Sequence, residues 1–123
     1  MEFAVKLSNK NVGDPSRQIT NIESAEHRNE IIAGDGIVVI KYSAVWCGPC
    51  KKIAPEYMSM CQNDEDGVTY CEEDVDEELG PYAEEIKSIP AFHIFNKGAL
   101  IYSCKGSNME ALSNLIIEAK NIK

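Results

Sequence analysis

The sequence predicts an α/β fold in which a central mixed sheet of about five strands is flanked by about four helices. Three observations lead there. Apolar runs of strand length alternate with segments whose apolar residues recur at helical spacing, the pattern of strands joined by helical crossovers. Two further apolar runs, 92–95 and 99–104, flank Asn96-Lys97-Gly98, which reads as a hairpin turn and makes the sheet mixed. Finally, 123 residues with 44% hydrophobic content suit one domain around one core.

Each element has a local reason. Residues 1–16 read as an N-terminal arm: Phe3 to Leu7 has the composition of a short strand, but the polar stretch that follows, with Gly13 and Pro15, fits a loose segment equally well. The domain proper then spans 17–123. Gln18 to Ile22 reads as a short strand. Ser24 is placed to cap a helix that runs to about Ala33, and Gly34-Asp35-Gly36 stops it. The central strand covers Ile37 to Ser43, and a longer helix follows from about Pro49 to Gln62. On that helix Cys50, Ile53, Ala54, Tyr57 and Cys61 share a face that packs inward, while Pro55 removes one backbone hydrogen bond and kinks it. Val68 to Val75 reads as a strand, Glu77 to Lys87 as a helix interrupted early by Gly80-Pro81. After the hairpin, Asn108 caps a last helix to about Ala119, with Leu112, Leu115 and Ile116 as its buried stripe.

Composition narrows function. A net charge of −8 and a pI near 4.7 argue against nucleic acid or a membrane surface as partners, because phosphate attracts basic faces. No apolar stretch reaches signal-peptide or membrane-span length, so the expected location is cytoplasmic. Five cysteines, Cys47, Cys50, Cys61, Cys71 and Cys104, form an odd and irregular set, unlike a secreted disulfide framework. The expected arrangement is one working pair in a reducing compartment, with Cys61, Cys71 and Cys104 as small buried hydrophobes or, less simply, regulatory thiols. A zinc site on the working pair would need two further ligands, and His27 and His93 have no paired spacing. No metal is expected, and no cofactor motif occurs.

The chemistry concentrates in Trp46-Cys47-Gly48-Pro49-Cys50. Two thiols separated by two residues, at a strand-to-helix junction, suit dithiol–disulfide exchange. Together with Lys51, Pro55, Ile89-Pro90, the hairpin Phe95 to Gly98, and Gly106, this segment is in register with a known pattern: from about Arg17 to Asn121 the chain resembles the thioredoxin family.

That resemblance implies a thioredoxin fold and a general protein-disulfide reductase whose working element is the Cys47–Cys50 disulfide, with no other cofactor. Cys47 would be the nucleophile, its thiol lowered from about 8.5 toward the family's value of about 7 by the helix N-terminus. Cys50 would resolve the mixed disulfide. Gly48 and Pro49 hold the pair within bridging distance, and Trp46 is either an apolar wall beside the thiol or an ordinary core tryptophan. Pro90 matches the family's cis-proline, and Val75, Ile89, Gly106 and Ser107 match a shallow substrate groove that takes an extended segment. A Gly-Pro centre accompanies a reducing couple of roughly −270 mV in this family. Partners would be disulfide-containing proteins and a reductase drawing electrons from NADPH. Two alternatives remain: a disulfide isomerase or oxidase on the same scaffold, and a protein-docking module whose thiols are incidental.

One departure stands out. The family commonly carries a buried aspartate six residues before the first active-site cysteine, where this chain has Lys41. The lysine that often faces it is matched here by Glu72. The charges are exchanged, and the expectation is a reversed ion pair behind Cys50, in which either Glu72 or Lys41 takes the proton role. The alternative has Lys41 snorkelling to the surface and Glu72 merely solvated. The acidic run Glu72 to Glu78 reads first as a solvated face, and second as a feature that steers basic partners.

Overall fold

The computed structural model describes residues 13–76 and 86–122. It contains β1 (Thr20–Asn21), α1 (Ala25–Ile32), β2 (Ile37–Ser43), α2 (Gly48–Asn63), β3 (Thr69–Asp74), β4 (Ala91–Asn96), β5 (Ala99–Lys105) and α3 (Met109–Lys120). The helix expected over 77–87 lies outside the described residues from 77 to 85, and Ile86 and Lys87 are irregular. Most of the expected arm, residues 1–12, also lies outside. At its described end, the Asp14 amide donates to the carbonyl of Gln62 at 2.8 Å.

Five strands form one sheet in the order β1-β3-β2-β4-β5. β3 lies parallel to both β1 and β2, β4 is antiparallel to β2, and β5 is antiparallel to β4. β2 is central and buried on both faces, which is why Ile37 to Ile40 is a continuous apolar run and does not alternate. The hairpin between β4 and β5 turns through Lys97 (φ 53) and Gly98 (φ 86). Two successive positive φ angles match the twist of the flanking strands, and glycine adopts one of them without a steric penalty.

The caps expected from sequence are in place. Ser24 Oγ accepts from the His27 amide at the start of α1, and Asn108 Oδ1 accepts from Ala111 at the start of α3. Each such cap stabilises its helix by about 1 kcal/mol. α2 and α3 cover one face of the sheet, where Val39, Ile53, Tyr57, Phe92, Leu112 and Ile116 interlock. α1 lies on the other face with Ile22, Ile32, Val38, Ile40, Cys71 and Phe95. The buried stripe of α3 is Met109, Leu112, Ile116 and Ala119, with Leu115 half-buried. Ala54 is likewise half-buried, unlike Cys50, Ile53, Tyr57 and Cys61 on the same helix.

Candidate active site

β2 leaves the middle of the sheet at Ser43, turns through Ala44-Val45-Trp46 and enters α2 at Cys47. Cys47 is the N-cap of α2. Its Sγ accepts from the Cys50 amide at 3.1 Å, so a side chain that is usually an oxygen cap is here sulfur. Pro49 sits in the first turn, where its missing N–H costs nothing. Cys47 and Cys50 are joined by a disulfide across a Cα separation of 5.3 Å. Cys50 is 2% exposed and Cys47 4%. A Cβ on Gly48 would meet nothing within 4 Å, so the space beside this residue is open.

The remaining expected residues gather around this pair. Trp46 is 66% exposed, which rules out a core tryptophan, and its Nε1–H donates to Asp76 Oδ2 at 3.2 Å. Val75 and Ile89 pack against Ala44, Cys47 and Cys50. The Val75 amide donates to the Ser43 carbonyl at 2.8 Å, which ties the end of β3 to the end of β2. The Ile89–Pro90 bond is cis, and the Pro90 carbonyl accepts from the Gly106 amide at 2.7 Å. Ser107 lines a shallow hollow with Gly48, Pro49, Lys52 and Ile53.

Beneath the pair, Lys41 and Glu72 are register partners on β2 and β3. Lys41 Nζ lies 3.4 Å from Glu72 Oε2 and donates to the Cys50 carbonyl at 3.2 Å. The lysine is buried and does not snorkel. Sequence reasoning missed Ser43, whose Oγ donates to Glu72 Oε2 at 2.7 Å. The period-two spacing from Lys41 could have found it, since both leave β2 on the same face. It placed Tyr57 on the inward face but missed its hydroxyl, which donates to the Cys71 carbonyl at 2.7 Å, and it missed the buried pair Arg28–Glu73 at 3.1 Å. Glu73 therefore corrects the reading of the acidic run as a solvated face, because it is 2% exposed.

The other thiols divide. Cys61 and Cys71 are buried, whereas Cys104 is half-buried. Burial pushes the Cys71 thiol up to about 12, helped by the neighbouring Cys61 and Glu73, and burial also raises Cys61 and Cys104. None of the three is poised as a nucleophile. Among the described residues, no group of three histidine, cysteine or acidic side chains is placed to hold a metal, and no helix is long and apolar enough to cross a membrane.

Residues 18–118 match the thioredoxin family model. The chain belongs to the thioredoxin family. It is 40% identical over 100 residues to thioredoxin of Rattus norvegicus, covering 79% of this chain and 94% of that one. With thioredoxin of Homo sapiens it shares 38% over 103 residues, covering 81% and 97%. Its fold superposes on thioredoxin of Malassezia sympodialis with a TM-score of 0.78 and 31% identity, covering 85% of this chain and 93% of that one. The fold is the thioredoxin fold and the activity is that of a thioredoxin-type disulfide oxidoreductase. Family membership implies, in general terms, disulfide-bearing substrates and a thioredoxin reductase as partner.

Proposed function

We propose that the chain is a general protein-disulfide reductase in which Cys47 attacks and Cys50 resolves. The observation that supports this most is the sulfur N-cap: Cys47 Sγ lies where the first-turn amide of Cys50 points, 3.1 Å away. Once the pair is reduced, that amide and the helix dipole favour negative charge on Cys47. The Cys47 thiolate attacks one sulfur of a target disulfide and displaces the other as a thiolate. Cys50 then attacks Cys47, releasing the second target thiol and re-forming Cys47–Cys50. Two electrons pass to the target, and two protons are taken up by its sulfurs.

The surrounding residues support that exchange. Trp46, Val75, Ile89 and the Pro90 backbone border the pair and receive an extended target segment, with Gly106 and Ser107 at its edge. Gly48 and Pro49 keep the approach short and uncluttered. Lys41 and Glu72 support the pair from below. The catalytic domain is 17–123, with 1–16 as an N-terminal arm. The recycling partner is an NADPH-dependent thioredoxin reductase, the substrates are proteins, and the location is cytoplasmic.

Reduction of insulin disulfides with dithiothreitol or a reductase as electron source tests this reading, with Cys47→Ser as control. A measured potential near about −270 mV supports a reductase; one near about −180 mV favours an isomerase. Wild-type turnover no greater than that of Cys47→Ser would leave a docking module.

A further inference from the structure

A cation lies under the disulfide. Lys41 Nζ is 3.2 Å from the Cys50 carbonyl oxygen, 3.4 Å from Glu72 Oε2, and 5.7 Å from the centre of the Tyr57 ring. We propose that Lys41 is a positioning residue for the resolving step: its ammonium stabilises negative charge on Cys50, and Glu72 tempers that stabilisation. The proposal rests on the assignment of Cys47 as attacking and Cys50 as resolving.

The asymmetry of the pair carries the argument. The Lys41 side chain is 3% exposed and that of Glu72 33%, so the positive charge is deep and the negative charge faces solvent. Water screens the carboxylate more than the ammonium. The Glu72 oxygen that faces Lys41 also accepts from Ser43 Oγ at 2.7 Å, which spreads its charge into a second hydrogen bond. The ammonium beside Cys50 is therefore the less screened member of the pair, although its counter-charge sits nearby. Among the described residues, the other charged or titratable groups around the site are Asp74 on β3, and Lys51 and Tyr57 on α2. Asp74 and Lys51 are opposite in sign, while Asn21 on β1 and Phe92, the β4 partner of Lys41, carry no charge.

A cavity of about 360 Å³ is lined by Lys41, Cys50 and Glu72, and opens to solvent. A water molecule occupies about 30 Å³ in the liquid, so the cavity is roomy enough for a proton to leave Cys50 through water. In the resolving step Cys50 Sγ loses its proton along this route and attacks Cys47 Sγ. The Cys47–Cys50 bond forms as the Cys47–target bond breaks, and the target sulfur leaves as a thiolate that takes a proton from solvent. Lys41 itself exchanges no electrons.

The test starts from a mixed disulfide between Cys47 and thionitrobenzoate, and follows release of the yellow thiolate against pH. In Lys41→Met the pH midpoint of release rises by about one unit, with release about tenfold slower below it, and Lys41→Arg restores the original midpoint. Glu72→Gln moves the midpoint in the opposite direction, downward. Unmoved midpoints in Lys41→Met and Glu72→Gln, with rates scaled equally at every pH, overturn the proposal in favour of a structural role. Should Lys41→Met not fold, Glu72→Gln decides alone: a lower midpoint supports the proposal, and an unchanged or higher one overturns it. A wild-type adduct that forms but never releases thionitrobenzoate would instead overturn the assignment of Cys50 as resolving, and the proposal with it.

Discussion

Glu72 and Glu73 are consecutive on β3, so their side chains leave the sheet on opposite faces and meet different lysine and arginine partners. Glu73 turns toward α1 and pairs with Arg28, with side chains 2% and 0% exposed. Glu72 turns toward α2 and pairs with Lys41 beneath the disulfide, with a third of its side chain in solvent. Both pairs join oppositely charged groups at about the same distance, yet their surroundings differ. The Arg28–Glu73 pair is buried, with neither side chain in solvent, on the face of the sheet that carries α1. The Lys41–Glu72 pair borders a cavity that reaches Cys50. The same kind of ion pair thus lies buried on one face and beside the disulfide on the other, and what separates them is access to water and to sulfur.

The sharpest division comes from Cys47→Ser, which lowers insulin-disulfide reduction by more than about a thousandfold while leaving the fold and its unfolding midpoint close to those of the reduced wild-type protein. On the α1 face the reverse holds. Arg28→Met removes a buried guanidinium from beside the Glu73 carboxylate and costs about 3–5 kcal/mol in urea unfolding, without moving the pH midpoint of thionitrobenzoate release. A shift in that midpoint would break the division between the faces. Replacing both partners, Arg28→Met with Glu73→Leu, recovers part of the loss, because the buried carboxylate is removed together with its guanidinium.

Cys71 offers a subtler contrast, since it lies on the α1 face and its thiol is pushed up to about 12 by burial. A group whose folded value is raised contributes stability that is fully present below its unfolded value, near about 8.5, and is lost as pH rises toward the folded value. Unfolding free energy accordingly falls by up to about 1.4 kcal/mol per pH unit over that alkaline range, and Cys71→Ala makes the slope shallower. The smallest effect is expected at the far end of α2. There burial raises the Asp64 carboxyl, but hydrogen bonds from Lys120, Val68 and Asp66 outweigh it and hold the group below its ordinary value. Its contribution is present above the unfolded value near about 3.9 and lost as pH falls through the lower folded value. Lys120→Met costs about 1 kcal/mol at neutral pH and narrows to less in acid, measured by thermal unfolding. It leaves turnover unchanged, because this end of the helix is remote from the sulfur cap.

Much of this was legible without coordinates. β2 and the caps of α1 and α3 were readable because a continuous apolar run, a serine and an asparagine each act through their nearest neighbours in the chain. The five-residue active-site segment was readable for the same reason: spacing alone sets two sulfurs at the start of one helix. The Lys41–Glu72 pairing was approachable from the family pattern, and their register on adjacent strands makes it physical. By contrast, Arg28 and Glu73 are 45 residues apart, and nothing local distinguishes Glu73 from its acidic neighbours. The half-burial of Cys104 belongs to the same class, because β5 lies at an edge of the sheet, an arrangement that its own residues do not record.

By itself the sequence determined the periodicities, the caps, the turn and the juxtaposed thiols, because these depend on bond geometry over a few residues. Tertiary structure alone decided which acidic side chain is buried, which faces the sulfur, and how deep the lysine sits. Those outcomes depend on what covers each face of the sheet, and dielectric surroundings are a property of the assembled fold and not of any segment.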